Sequence, residues 1–343
     1  MNRKYRILVT GGAGYIGSHT IIELLKNDSV EVISADNHSN SSTGVYKRIE
    51  RISGRKLTHY AIDLCDFKSA EQLFSANPGI DGIIHFAAFK SVPESVADPL
   101  KYYSNNINSL INILDLAKQF AVNKIIFSSS CSVYGNITKL PVTEETPMGK
   151  TESPYAFTKV IGERILEDFI QSNPGAKAIA LRYFNPVGAH PSALIGELPI
   201  HAPTSLVPII TQTAIGKLKS FNVHGTDYKT RDGSCIRDYV HVCDIARAHV
   251  LALDFLEKMI APFDIINLGT GTGISVLEAI RAFENVSGVK LSYKIGPKRP
   301  GDVEAIYSDC SKVARVLKWK AEYSLDDMMR TAWKWEQNLA KPE

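Results

Sequence analysis

The segment YRILVTGGAGYIG (5–17) constrains the fold more than any other stretch of this chain. A short apolar, β-branched run leads straight into Gly11, Gly14 and Gly17 at GxxGxxG spacing, and a helical pattern begins directly behind them. Glycines so placed let the backbone turn sharply and approach a pyrophosphate, whose charge the following helix N-terminus favours. A glycine triplet alone is common in turns. Between a first strand and a first helix it reads as a dinucleotide loop, with Tyr15 and Ile16 inside it. The second predicted strand, VEVISAD, ends in Asp36, where a carboxylate accepts hydrogen bonds from a ribose diol and repels a 2′-phosphate. NAD is therefore expected over NADP. Asp63, at the end of the third predicted strand, is either an adenine contact or a helix N-cap.

Short apolar runs recur at YRILVT, VEVISAD, LTHYAID, GIIHFAA, KIIFSSS and AIALRYF. Between them TIIELLKN, AEQLFSA, SLINILDLAKQF and VIGERILEDFI carry apolar residues at three- and four-residue spacing. Strands alternating with helices predict a Rossmann-type, doubly wound parallel sheet built by right-handed crossovers. After Asn185 the regularity fails: residues 185–235 read as loops around a short helix near 205–217. DIINLG (264–269) predicts a late return to the sheet, and Ser324 with Asp327 has capping-box spacing for a last helix. The expectation is an α/β chain of two interleaved domains. An NAD-binding domain spans 1–185 with a return segment near 237–270, and a smaller α/β substrate domain takes 186–236 and 271–343.

The bulk numbers narrow the partners. With 343 residues, 44% hydrophobic and 22% charged, the chain has ordinary globular composition, and a net charge of +3 does not argue for nucleic acid or membrane as partner. No apolar run approaches the ~20 residues of a membrane span, and the apolar stretch of MNRKYRILVT is too short for a signal sequence. Five scattered cysteines without CxxC spacing predict reduced thiols in a cytoplasmic protein and no metal site.

The stretch SPYAFTK (153–159) carries the chemistry. Ser153 caps a helix and Pro154 suits its first turn, which sets Tyr155 and Lys159 one turn apart on one face. Taking hydride from a carbinol also requires removal of the hydroxyl proton. A phenol with an ordinary pKa of ~10 is a poor base, but a neighbouring lysine and a positive nicotinamide ring favour its phenolate. KIIFSSS ends at a strand's carboxyl end, where open α/β sheets bind ligands, and supplies Ser130 to share the same substrate oxygen. Ser128 and Ser129 are expected to be occupied by the strand's own pairing.

With these motifs the chain resembles the extended short-chain dehydrogenase/reductase family, and within it the branch that epimerises UDP-hexoses at C4. The resemblance runs through TGGAGYIGSH, HFAAFKSVPES, FSSSCSVYG, SPYAFTK, RYFNPVGAHP, CIRDYVHVCD and RPGD. It implies Tyr155 as base, Lys159 on the nicotinamide ribose, and Ser130 on the reacting hydroxyl. It places Phe86, Ala87, Ala88, Lys90, Asn105, Leu64, Ser128 and Tyr183 around the cofactor with Asp36, Asn37 and Asp63. It also implies a UDP-sugar substrate held by Arg237 and Arg299 at its diphosphate. Asp302 takes a uridine ribose hydroxyl, and Lys90, Asn185, Ser205, Leu206, Asn222, His224 and Ile306 complete the substrate wall. A homodimer through helices near 105–120 and 155–171 is implied as well.

Three positions depart from the family pattern. Ser205 stands where asparagine is common, His224 where phenylalanine often packs on uracil, and Ile306 where residue size limits what fits beside the sugar's C2. The resemblance implies interconversion of UDP-glucose and UDP-galactose through a 4-keto sugar with tightly bound NAD. The alternatives are an epimerase acting mainly or also on UDP-GlcNAc and UDP-GalNAc, and a non-catalytic NAD-binding regulatory protein. A 4,6-dehydratase would need an Asp-Glu pair after the strand-end serine, where this chain has Cys131 and Ser132.

Overall fold

A computed structural model describes residues 3–200, 202–299 and 302–341; Pro300 and Gly301 of the RPGD stretch, and both extreme ends of the expected domain ranges, lie outside them. The apolar runs become the strands β1 (Tyr5–Thr10), β2 (Val30–Asp36), β3 (Thr58–Ala61), β4 (Gly82–His85), β5 (Lys124–Ser130) and β6 (Lys177–Tyr183). The helices between them are α1 (Tyr15–Leu24), α2 (Gly44–Ser53), α3 (Phe67–Ala76), α4 (Val92–Ala97), α5 (Pro99–Gln119) and α6 (Pro154–Ser172). Beyond Asn185 follow β7 (Asn185–Val187), α7 (Leu206–Ala214), β8 (Phe221–His224), β9 (Ile236–His241), α8 (Val242–Lys258) and β10 (Phe263–Leu268). The chain closes with β11 (Gly273–Ser275), α9 (Val276–Ser287), β12 (Tyr293–Gly296), β13 (Ala305–Ile306), α10 (Ser311–Val316) and α11 (Leu325–Leu339).

The large sheet has seven strands in the order β10-β6-β5-β4-β1-β2-β3, and every pairing in it is parallel. DIINLG thus returns to the sheet edge as expected. Both faces of the sheet are covered, so its strands read as continuous apolar runs. Along β1, Ile7 and Val9 join the core beneath α1 and α8, while Leu8 faces the opposite core with α3, α5 and α6. Each such fully buried aliphatic side chain contributes roughly 1.5–3 kcal/mol of burial free energy. The strand order reverses between β1 and β4, and their carboxyl ends open a crevice there, where ligands bind in such folds.

Residues 185–235 hold more structure than the loops expected from their prolines and glycines. β7 pairs with β9, and β8 pairs with β12, in two further sheets, while the expected short helix is α7. β9 is the spine of a four-stranded sheet with β7, β11 and β13, and α8, which follows it, packs on α1. Asp238, fully buried in β9, ties this second sheet to the segments that follow β10 and β13. Its carboxylate accepts from the backbone N–H groups of Thr270, Gly271 and Ser308 and from the hydroxyls of Thr270 and Ser308. Ser324 and Asp327 cap α11 reciprocally, as their spacing predicts.

Candidate active site

All residues expected to meet cofactor or substrate line one cavity of about 1510 Å³ that runs from the glycine loop to the second sheet. At its first end α1 begins behind Gly14 with no side-chain cap and no acid in its first turn, so its leading N–H groups are open to an anion. Gly11 lies in the left-handed region at φ +66°, and a Cβ there would stand 2.8 Å from the Ala87 nitrogen. A Cβ on Gly17 would meet the Gly11 carbonyl oxygen at 2.3 Å. The loop and helix therefore close tightly enough for a pyrophosphate to reach the backbone.

Asp36 ends β2, and its carboxylate accepts from the Ala13 and His38 N–H groups and from the Ser41 hydroxyl. These bonds fix its orientation toward the cavity, where Asn37 stands next to it. The donor set suits a dinucleotide. Asp63 differs from expectation: β3 stops at Ala61, and Asp63 sits in the following turn, accepting from Cys65 N–H. The cap of α3 is Asp66, so the helix-cap alternative for Asp63 falls. Leu64, Asn105, Phe86, Ala87 and Ala88 line the same wall.

Lys90, assigned to both ligands, is paired with Glu197 across the cavity at 2.8 Å, over the Tyr15 ring. The Tyr15 hydroxyl in turn donates to the Gly188 carbonyl, which ties the NPVGAHP stretch to the glycine loop. Glu197 is a further residue of the cavity wall. It lies 107 residues from Lys90, and no local pattern signals the pair.

The catalytic candidates come together from two elements. Ser153 accepts from the Ala156 N–H at 3.2 Å and Pro154 occupies the first turn, so α6 starts where expected and carries Tyr155 and Lys159 on one face. Ser130 ends β5. Its oxygen accepts from the Ser132 N–H and hydroxyl, which leaves its own proton for the Tyr155 phenol. Lys159 is buried; its ammonium donates to the Ser128 carbonyl at 2.7 Å and to the Ser128 hydroxyl at 3.3 Å. Ser128 thus holds the lysine through its oxygen atoms, and its hydroxyl, which keeps its own proton to donate, lines the cavity.

The lysine alone does not make Tyr155 acidic: burial pushes the phenol up to about 12, with the Ser130 hydrogen bond opposing it. Burial likewise pulls the Lys159 ammonium down to about 7. Its nitrogen sits 5.9 Å from the Tyr155 ring centroid, aimed at the strand. Tyr183, placed nearby, is buried and bonded to His249 Nε2 at 2.7 Å.

At the far end Arg237 and Arg299 both approach Asp302, at 3.7 and 3.1 Å. The carboxylate holds the two guanidinium groups side by side, a geometry suited to a diphosphate. Asn185 presents a buried Oδ1 that has no hydrogen-bond partner among the described residues, and it lines the cavity. Leu206 and Ser205 start α7, and the Ser205 hydroxyl makes no capping bond. Asn222 and His224 belong to β8, with His224 Nδ1 3.3 Å from the Pro297 carbonyl. Ile306 is buried beside Arg237 in the pairing of β13 with β9. Tyr239 and Cys131 are two further lining residues beyond the expected set. Tyr239 shares the face of Arg237 by the two-residue period of β9, a signal IRDYVH carries in plain view, and Cys131 follows Ser130.

The chain is similar to known proteins over nearly its whole length. A family model described as GDP-mannose 4,6 dehydratase matches residues 8–332. A UDP-glucose 4-epimerase of Bacillus subtilis (strain 168) is 46% identical over 332 residues, covering 97% of each chain. The crystal structure of UDP-glucose 4-epimerase from Bifidobacterium longum in complex with NAD+ and UDP superposes with a TM-score of 0.92 at 46% identity, covering 97% of this chain and 98% of that one. The enzyme of the same name from Stenotrophomonas maltophila, with bound NAD and formylated UDP-arabinopyranose, gives a TM-score of 0.94 at 44% identity, covering 98% and 99%.

Proposed function

From the premise that this chain belongs to the UDP-glucose 4-epimerase family of the extended short-chain dehydrogenase/reductases, we propose that it interconverts UDP-glucose and UDP-galactose at C4 with tightly bound NAD. One observation carries the reading. Ser130, Tyr155 and Lys159 line the same cavity as the uncapped start of α1 and as Arg237 and Arg299, which share Asp302.

NAD, when bound, accepts the hydride from the sugar carbon, returns it, and brings a positive ring to the site. The chain's own residues do the rest. Gly11, Gly14, Tyr15, Ile16 and Gly17 receive the pyrophosphate on the N-terminus of α1, and Asp36 takes the adenosine ribose diol. Tyr155 removes the proton of the C4 hydroxyl, and the free proton of Ser130 holds the same oxygen. Arg237, Arg299 and Asn185 hold the nucleotide, so the 4-keto sugar turns its other face while anchored. Elimination of water in the manner of a dehydratase lacks its acid pair, since Ser130 is followed by Cys131 and Ser132.

The test is direct. Purified protein is incubated with UDP-galactose without added reductant, beside a parallel incubation with UDP-GalNAc, and the products are separated. UDP-glucose is the expected product; none would refute the reading and leave the non-catalytic NAD-binding alternative. Ile306, buried beside Arg237, closes the sugar end. Ile306→Tyr is expected to lower turnover of the N-acetylated pair more than that of the plain pair, and equal losses would remove residue 306 from control of the C2 substituent.

The partner reading is a homodimer through α5 and α6. These helices pack together and expose Leu100, Ile111 and Phe157. Ile111→Glu with Phe157→Glu is expected to halve the sedimenting mass, and an unchanged mass would move the contact elsewhere. A cytoplasmic setting is supported by five cysteines, all free of disulfides. Among the described residues no helix is long and apolar enough to cross a membrane.

A further inference from the structure

The helix that carries Tyr155 and Lys159 repeats the same spacing once more, and the next residue on that face is Glu163. The three consecutive serines that end β5 match these three side chains one for one. Ser130 meets Tyr155, Ser128 holds Lys159, and the Ser129 hydroxyl donates to Glu163 Oε1. Behind them Arg182 of β6 grips the same carboxylate with two bonds, Nε to Oε1 at 2.9 Å and Nη2 to Oε2 at 2.7 Å. Its remaining arm donates to the Tyr134 hydroxyl, which donates to Asn267 of β10. Glu163 is 4% exposed and Arg182 2%; neither lines the cavity. A buried ion pair is weak evidence for stability, because a well-packed apolar pair of the same volume serves as well. Its use is therefore sought in its neighbours.

Lys159 is such a neighbour. Burial disfavours its ammonium strongly, and Glu163 is the charge that opposes this. The other groups facing the lysine add nothing favourable. Tyr155 and Tyr183 are held as neutral phenols by burial, and buried His85 on β4 stays an uncharged imidazole bonded to Thr10. Arg182 carries a like charge. We propose that Glu163 is a positioning residue, whose carboxylate, oriented by Arg182 and Ser129, keeps Lys159 protonated on the dry floor of the cavity and thereby sets the alkaline limit of turnover. The inference rests on the reading of Tyr155 and Lys159 as the proton-transfer pair.

The test is the dependence of kcat on pH for UDP-galactose, measured on the NAD-saturated full chain from about pH 6 to about pH 10. Glu163→Gln removes the charge, keeps the shape, and leaves the Arg182 cation facing the lysine. Its alkaline limb is expected about one pH unit or more below that of the parent, with KM changed less than ~3-fold. An equal loss of kcat at every pH, with the limb unmoved, is what a merely structural role would give and overturns the proposal. The single variant leaves a buried guanidinium unpaired and risks unfolding, so Glu163→Gln with Arg182→Met provides the second measurement. Its limb is expected below the parent's and above that of the single variant; a limb at the parent's position refutes the inference. Failure here is distinguishable from failure of the underlying reading, because only the latter leaves Tyr155→Phe active.

Discussion

Replacement of Tyr155 by phenylalanine is expected to lower kcat by at least ~10²-fold, about 2.7 kcal/mol in the barrier, with KM for UDP-galactose and NAD retention changed little. The substitution deletes one oxygen. The ring stays on its turn of α6, Ser153 still caps the helix, and Lys159 keeps its bonds to Ser128. Ser130 still lines the cavity. What disappears is the group proposed to take the C4 proton. The effect is expected in kcat because that proton moves only as hydride leaves. Burial holds the phenol up to about 12, so at neutral pH it is protonated, and the base form exists only where a positive charge faces it. Turnover in the parent should therefore rise with pH from the acid side. Near-normal kcat in Tyr155→Phe, measured with UDP-galactose and saturating NAD, would take Tyr155 out of the reaction.

Gly17→Ala is the second large effect. An alanine Cβ would lie 2.3 Å from the Gly11 carbonyl oxygen and 3.0 Å from the Gly12 Cα, both backbone atoms that cannot swing aside. Either α1 moves away from the loop or the loop opens. Overpacking of this kind costs roughly 1–3 kcal/mol of stability. The larger consequence falls on the cofactor, because the N–H groups of the first turn of α1 and the loop they follow must converge on one pyrophosphate. NAD affinity is expected to fall at least ~10-fold, which is about 1.4 kcal/mol, alongside a lowered melting temperature. Titration with NAD and a thermal melt measure the two separately. An unchanged dissociation constant together with an unchanged melt would mean that the close approach of helix and loop carries no load in binding.

The features legible in the chain are those whose partners lie within a turn or a strand of each other. Ser153 and Pro154 announce the start of α6, the four-residue step announces that Tyr155 and Lys159 share a face, and glycine spacing announces the loop ahead of α1. The same logic reaches Ser324 with Asp327, and it would have reached Tyr239 beside Arg237 had the two-residue period been followed. Residues 185–235 were harder, because β7 and β8 are short and find their partners β9 and β12 far along the chain. A strand of three or four residues leaves almost no periodic trace.

The order of residues along the chain was enough to establish the parallel sheet and the dinucleotide end, and to point to Tyr155 and Lys159 as the proposed proton-transfer pair. Only packing in three dimensions decided that Lys90 answers to Glu197, that Ser129 and Arg182 converge on Glu163, and that Tyr155 is pushed up and not down. The division has a physical cause. Hydrogen-bond caps and helical neighbours are set by backbone geometry over a few residues, whereas the free energy of a charge is set by how much water it loses. That loss is a sum over atoms from strands and helices that meet only when the chain has folded.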